Sequence, residues 1–213
     1  MDRPEIVAAM AAAAVAGGAS GVRIEGIENL LATRKLISVP VIGIVKRDDP
    51  GTPVRITPRL EDAMRLITAG ADIVAVDGTS RPRPDSFASV ANAVRGAGRL
   101  VMADCSTRAD GAAALAAGAA IIGTTLSGYT DETMGNGAEG SGVAPDLELV
   151  RVFRALGGFV MAEGRYNTPE LAASALAAGA DCVTVGSALT RLEHVTGWFR
   201  DALARTTRPG DET

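Results

Sequence analysis

Aromatic residues are scarce, at 3% of the 213-residue chain, yet hydrophobic residues reach 47%. A core of that kind is filled by Ala, Val, Ile and Leu, which suits folds that alternate helices with buried strands. There is one histidine, His194. A histidine-rich metal site is excluded, and histidine-based proton transfer would rest on that residue alone. His194 falls within a helical stretch, where a partly exposed position is expected. Cysteine is nearly absent. Cys105 and Cys182 lie in or beside strand-like runs and read as buried free thiols in a reducing cytoplasm. The net charge of −4 includes no block of like charge, so neither nucleic acid nor a membrane surface is an expected partner. No run reaches the roughly 18 apolar residues of a membrane span. The opening "IVAAMAAAAVAGG" follows the mixed flank "MDRPE" and lacks a polar cleavage region, so it reads as a helix rather than a signal peptide. No strand is followed by G-x-G-x-x-G, and there is no P-loop.

What is present is a repeat. An Ala-rich helix closes on Gly, and a short apolar strand follows, as in "AGGASGVRIEG", "AGADIVAVDG", "AAGAAIIGTT" and "AAGADCVTVGS". Glycine suits a left-handed helix terminus, and apolar runs with little alternation suit strands covered on both faces. Strands are expected at 21–25, 41–46, 73–77, 100–105, 121–125, 159–163 and 182–185. Helices are expected near 4–16, 27–36, 58–69, 86–96, 108–117, 146–156, 168–178 and 188–205. Thr57-Pro58 and Thr168-Pro169 read as a capping hydroxyl before a first-turn proline. Asp110, Asp146 and Glu170 add acid to first turns. The regular repeat favours an α/β barrel of TIM type over a doubly wound sheet. It supplies seven strands and eight helices, and residues 1–213 read as one domain with a polar tail from about 206.

In such a barrel the chemistry gathers at the C-terminal strand ends. Those ends carry Arg23 and Glu25, then Lys46, Asp77, Asp104, Thr124 and Thr125, Glu163-Gly164-Arg165, and Gly186-Ser187. The glycines after the last two strands would let an anion reach backbone amides, and Arg191 would add charge one turn into the final helix. Tight turns alone are the alternative. Lys46, in "VIGIVKRD", has four readings: a base, a Schiff-base amine, a hydrogen-bond donor or a structural ion pair. The pattern by itself favours the ion pair. A lysine base needs its pKa lowered by about three units, which burial would promote and a close carboxylate would oppose. Asp77 reads as an anchor for the "TSRPRP" loop through Arg81 or Arg83. Residues 127–145 form a long Gly-rich stretch, either a cover over the mouth or plain disorder.

The ordered set "VIGIVKRD", "DGTSRPRP", "LVMADCST", "GTTLSGYT", "EGRYNTPELA" and "VGSALTR" resembles the N-acylglucosamine-6-phosphate 2-epimerase family over nearly the whole chain, from about Met10 to Phe199. The resemblance implies a cofactor-free, metal-free barrel that interconverts N-acetylmannosamine 6-phosphate and N-acetylglucosamine 6-phosphate in amino-sugar and sialic acid breakdown. It places the family's catalytic lysine on Lys46 and its glutamate on Glu163. Its substrate contacts fall on Arg23, Asp104 and, as the phosphate arginine, Arg191; Gly164, Gly186 and Ser187 join them as substrate-binding candidates from the turns read above. The partner it implies is the small phosphosugar, and a homodimer is compatible with it.

Two features depart from the family. It opens with a further strand, ending near a Ser-Cys-Gln-Ala motif, whereas this chain opens on the following helix. A start codon placed too late is the favoured explanation, ahead of a strand supplied by a partner chain or a decayed relative. The family also usually has Pro after the arginine of "LTRLEH". Two other functions compete: a Schiff-base aldolase using Lys46, and a non-catalytic phosphosugar-binding barrel.

Overall fold

A computed structural model describes residues 3–134 and 144–206. Helices and strands alternate: α1 (Pro4–Ala16), β1 (Val22–Glu25), α2 (Ile27–Arg34), β2 (Val41–Ile44), α3 (Leu60–Thr68), β3 (Ile73–Asp77), α4 (Phe87–Gly96), β4 (Leu100–Asp104). Then follow α5 (Arg108–Ala116), β5 (Ile121–Gly123), α6 (Leu147–Leu156), β6 (Phe159–Glu163), α7 (Pro169–Ala177), β7 (Cys182–Thr184), α8 (Ser187–Thr190) and α9 (Leu192–Ala204).

The repeat seen in the sequence has a common physical cause. Gly18, Gly70, Gly118 and Gly179 all take positive φ, between 93° and 108°. Each is followed by an alanine whose N–H donates five residues back: Ala19 to Ala14, Ala71 to Leu66, Ala119 to Ala114 and Ala180 to Ala175, at 2.9–3.0 Å. This is the Schellman closure, which satisfies a late carbonyl and turns the chain into the next strand.

All seven strands pair in parallel, in sequence order from β1 to β7, as a nearly closed barrel. Among the described residues β1 and β7 each pair on one side only. β7 is half-buried, and α8 and α9 bury no side chain.

Strand alternation sorts the apolar side chains into two layers. Ile24, Val41, Val74, Val76, Val101, Ala103, Ile122, Val160 and Ala162 pack outward against the helices. Ile42, Ile44, Ala75, Met102, Ile121 and Met161 form a separate inner cluster, with Ile73 and Cys182 against it.

Several sequence expectations need correction. The final helix is two: α8 and α9 meet at Arg191, whose φ of −118° and ψ of 82° interrupt the run, so the described residues form nine helices rather than eight. Thr57 does not cap α3. It lies buried at φ 44°, and its hydroxyl accepts from the Val45 N–H at 3.3 Å. The helix starts at Leu60, whose N–H donates to Asp85 Oδ2 at 2.7 Å. Asp146 is the N-cap of α6 itself, accepting from the Leu149 N–H, rather than a first-turn acid. Thr168 caps α7 as expected, and Asp110 forms a capping box with Thr107. The part of the Gly-rich stretch at 135–143 and the tail from 207 lie outside the described residues.

Candidate active site

The inner layer locates the site. Below the mouth, inward positions are apolar; two residues further along each strand they become polar. Ile42 and Ile44 lead to Lys46, Met102 to Asp104, Met161 to Glu163, and Ile121 through Gly123 to Thr125. On β1 the outward Ile24 leaves Arg23 facing in. One parity rule thus gathers side chains from β1, β2, β4, β5 and β6.

They meet around Arg23, whose side chain is 8% exposed. Its Nη2 donates to Asp104 Oδ2 at 2.6 Å, and its Nη1 donates to Asp104 Oδ1 at 2.9 Å and Glu163 Oε2 at 2.8 Å. Met102 Sδ lies 3.9 Å beneath the same nitrogen. Thr125 donates to Asp104 Oδ1 at 2.7 Å. Asp104 is fully enclosed, while 18% of the Glu163 side chain is exposed at the mouth.

One cation shared by two carboxyl groups makes an unequal triad. Burial opposes the charge on Arg23, but Asp104 and Glu163 outweigh it and raise its pKa further. Burial pushes the Glu163 carboxyl up to about 7; Arg23 opposes that rise, Asp104 adds to it, and the Thr125 hydroxyl and then Lys46 oppose it. Glu163 therefore exchanges a proton near neutral pH, as a general acid–base must.

Lys46 stands just past β2 and is exposed. Its backbone is held by a bridge to Ile56 and by its N–H, which donates to Glu25 Oε1 at 3.3 Å. Among the described residues it forms no ion pair, so the structural role that the sequence favoured is not found. The next residue, Arg47, faces outward and binds Asp62 of α3 through two hydrogen bonds of 2.7 and 2.5 Å.

The anion-binding candidates are less closely joined to this cluster. Gly164 continues directly from Glu163 with φ 110°, a conformation that requires glycine. Arg165, at φ 63°, follows it and donates to Ser127 O and Ala144 O, tying down both described flanks of the Gly-rich stretch. Gly186 and Ser187 lie between β7 and α8. Arg191 is not one turn into a helix but at the α8–α9 junction, where its exposed guanidinium binds Glu193 Oε1 at 2.5 Å. No hydrogen bond joins Gly186, Ser187 or Arg191 to the Arg23 triad among the described residues.

Other expectations can be checked directly. Asp77 is buried and accepts from both Arg81 and Arg83, so it anchors its loop. Cys105 is buried, with its thiol pKa raised by burial, and Cys182 is half-buried; neither is bonded. His194 is exposed on α9. A separate cavity of about 310 Å³, lined among others by Thr79, Arg81, Ser106 and Tyr129, does not include the triad or Lys46 in its walls. Among the described residues no helix is long and apolar enough to cross a membrane, and no His/Cys/Asp/Glu cluster has metal-ligand geometry. Thr125 is named among the polar strand ends without a role, and it is the contact that sequence reading did not assign. Its signal was the two-residue step from Ile121, which points it inward.

Comparison with known proteins gives the family. A family model described as "Putative N-acetylmannosamine-6-phosphate epimerase" matches residues 7–205. A Haemophilus influenzae relative designated "Putative N-acetylmannosamine-6-phosphate 2-epimerase" is 56% identical over 203 residues, covering 95% of this chain and 86% of its own length. One from Klebsiella pneumoniae with the same designation is 53% identical over 212 residues, covering 100% and 88%. The solved structure of the N-acetylmannosamine-6-phosphate 2-epimerase from Clostridium perfringens superposes with a TM-score of 0.89 at 33% identity, covering 94% of this chain and 86% of that one. The chain belongs to the N-acetylmannosamine-6-phosphate epimerase family.

Proposed function

We propose that this protein interconverts N-acetylmannosamine 6-phosphate and N-acetylglucosamine 6-phosphate by removing and returning the proton at C2. The observation that carries the reading is the triad of Arg23, Asp104 and Glu163 at one mouth, with Lys46 rising from the neighbouring strand on the same inner face. Glu163, holding a proton near neutral pH, assists opening of the sugar ring by moving protons at O1 and O5. Ring opening exposes a C1 aldehyde, which acidifies the adjacent C2–H. Lys46, acting in its unprotonated form at the mouth, takes that proton and an enolate forms; a proton supplied from solvent to the opposite face gives the epimer. Arg23 has N–H groups to spare beyond its bonds to Asp104 and Glu163, and these stabilise the oxyanion as charge develops. Asp104, enclosed beneath the site, holds Arg23 in place, and the substrate contact expected of it runs through that guanidinium. These steps route no electron or proton through a metal or a redox cofactor.

The 6-phosphate is assigned to the amides around Gly186 and Ser187, with Gly164 leaving the backbone open and Arg191 supplying charge. That role requires Arg191 to exchange Glu193 for the phosphate. An exposed, solvent-screened ion pair is weak, so a phosphate dianion competes well for the guanidinium.

The test is solvent exchange. Incubation with N-acetylmannosamine 6-phosphate in deuterium oxide is expected to yield both epimers carrying deuterium at C2. Binding without deuterium incorporation would instead identify a phosphosugar-binding barrel. A borohydride-trapped adduct on Lys46 would favour Schiff-base chemistry.

A further inference from the structure

Strand pairing of β5 with β6 ends at Gly123 and Met161, below the level of Glu163. Above it, side chains hold the seam. The Thr124 hydroxyl accepts from the Glu163 N–H at 3.0 Å and donates to Glu163 O at 2.9 Å. Arg165 then reaches back across the seam. Its Nη1 donates to Ser127 O at 2.8 Å and its Nε to Ala144 O at 2.7 Å, so one guanidinium joins two carbonyls of the segment that follows β5.

The guanidinium lies in a shaped slot. Its Cζ is 5.4 Å from the centroid of the Tyr129 ring, a cation–π contact. Gly128 has φ 82°, and a Cβ there would come within 3.0 Å of Arg165 Nη1, so glycine is required on both counts. The receiving segment is fixed in its turn. Ser127 Oγ donates at 2.6 Å to Asp146, the N-cap of α6, and the Gly128 N–H donates to Thr133 Oγ1 at 3.0 Å.

The backbone shows what the clamp opposes. Gly164 at φ 110° and Arg165 at φ 63° turn the chain directly after Glu163. Among the described residues Arg165 and Thr57 are the non-glycine residues with positive φ. Thr57 pairs with Val45, next to Lys46, so each strained position lies beside a group that the proposed chemistry uses. Such a conformation costs free energy and persists where surrounding contacts impose it. At Arg165 those contacts come from its own side chain.

We propose that Arg165 is a positioning residue: its clamp on Ser127 O and Ala144 O imposes the turn after β6 and so keeps Glu163 within hydrogen-bonding reach of Arg23. Its value to catalysis rests on the epimerase reading; the clamp itself is measurable without turnover.

Two variants test it from opposite sides. Arg165→Met keeps the side-chain length and removes the donors, and Gly128→Ala crowds the slot while leaving Arg165 in the chain. In native-state amide exchange, the Glu163 N–H of Arg165→Met is expected to exchange about tenfold faster, while the Val160 N–H lower on β6 keeps its wild-type rate. A general loss of stability would speed both alike. In C2 deuterium exchange, kcat should fall between about tenfold and a hundredfold, the cost of a misplaced acid–base group, with KM within about threefold of wild type. Gly128→Ala should lower kcat about fivefold alone but less than about twofold when added to Arg165→Met, because both changes act on one contact. An unchanged Glu163 amide in Arg165→Met overturns the proposal, as does a rise in KM at constant kcat or a fully multiplicative double variant. Release of the Glu163 amide in Arg165→Met, together with a wild-type protein that shows no C2 exchange, would support the clamp and defeat the epimerase reading alone.

Discussion

Lys46 and Arg47 are adjacent cations with opposite fates, and strand parity separates them. Lys46 continues the inward row of Ile42 and Ile44, while Arg47 turns out to Asp62 on α3. The same rule puts Arg23, Asp104 and Glu163 together although their positions are far apart in sequence. Glu163 carries a consequence for stability. Its pKa rises from 4.5 in the unfolded chain to about 7 in the folded one. Between those values the folded state holds a proton that the unfolded state has released, so this residue's contribution to stability falls as pH rises through that window and is fully lost above it. Glu163→Gln removes the penalty. In urea titrations the variant is expected to gain on the order of 2 kcal/mol relative to wild type between pH 5 and pH 8. A difference that does not change with pH would show that the carboxyl is not perturbed.

Among the elements, α4, α5, α6 and α7 start on a capping side chain, and the failure of the expected cap at α3 is instructive. "TPRLED" reads as hydroxyl, proline and acid-rich first turn, yet Thr57 is drawn down beside β2, where its N–H donates to Val45 O at 2.7 Å. That tertiary pairing outcompetes the local cap, and Asp85 caps α3 from a distant loop instead. Asp85→Ala should therefore lower unfolding free energy by about 1 kcal/mol with an unchanged m-value. No loss of stability would mean that solvent replaces the cap. The α8–α9 junction was likewise hidden, because "SALTRLEHV" has no Pro or Gly to mark the break at Arg191. With Arg191 at a junction rather than inside a helix, its side chain can leave Glu193. Arg191→Ala is expected to raise KM for the phosphosugar about tenfold with a smaller effect on kcat, the signature of lost binding shared by ground and transition states. An unchanged KM would remove Arg191 from the phosphate site.

At the scale of the whole molecule, the strand count, order and barrel form were legible because each Gly-closed helix and apolar run repeats one local solution. The identity of the polar strand ends was legible too, since a polar residue two steps beyond an inward apolar one has few other places to go. What could not be read was the partner of each group: that Arg23 would bridge Asp104 and Glu163, that Lys46 would form no ion pair among the described residues, or that Arg191 would bind Glu193. Those depend on how strands stack side by side, which no single stretch encodes.

The central claim is that Lys46 and Glu163 act on one sugar from one face of the barrel. It is tested most directly by C2 deuterium exchange in Lys46→Ala, measured beside phosphosugar binding by calorimetry. The account predicts that exchange is abolished while the dissociation constant stays within about threefold of wild type. Exchange at the wild-type rate in that variant would contradict it.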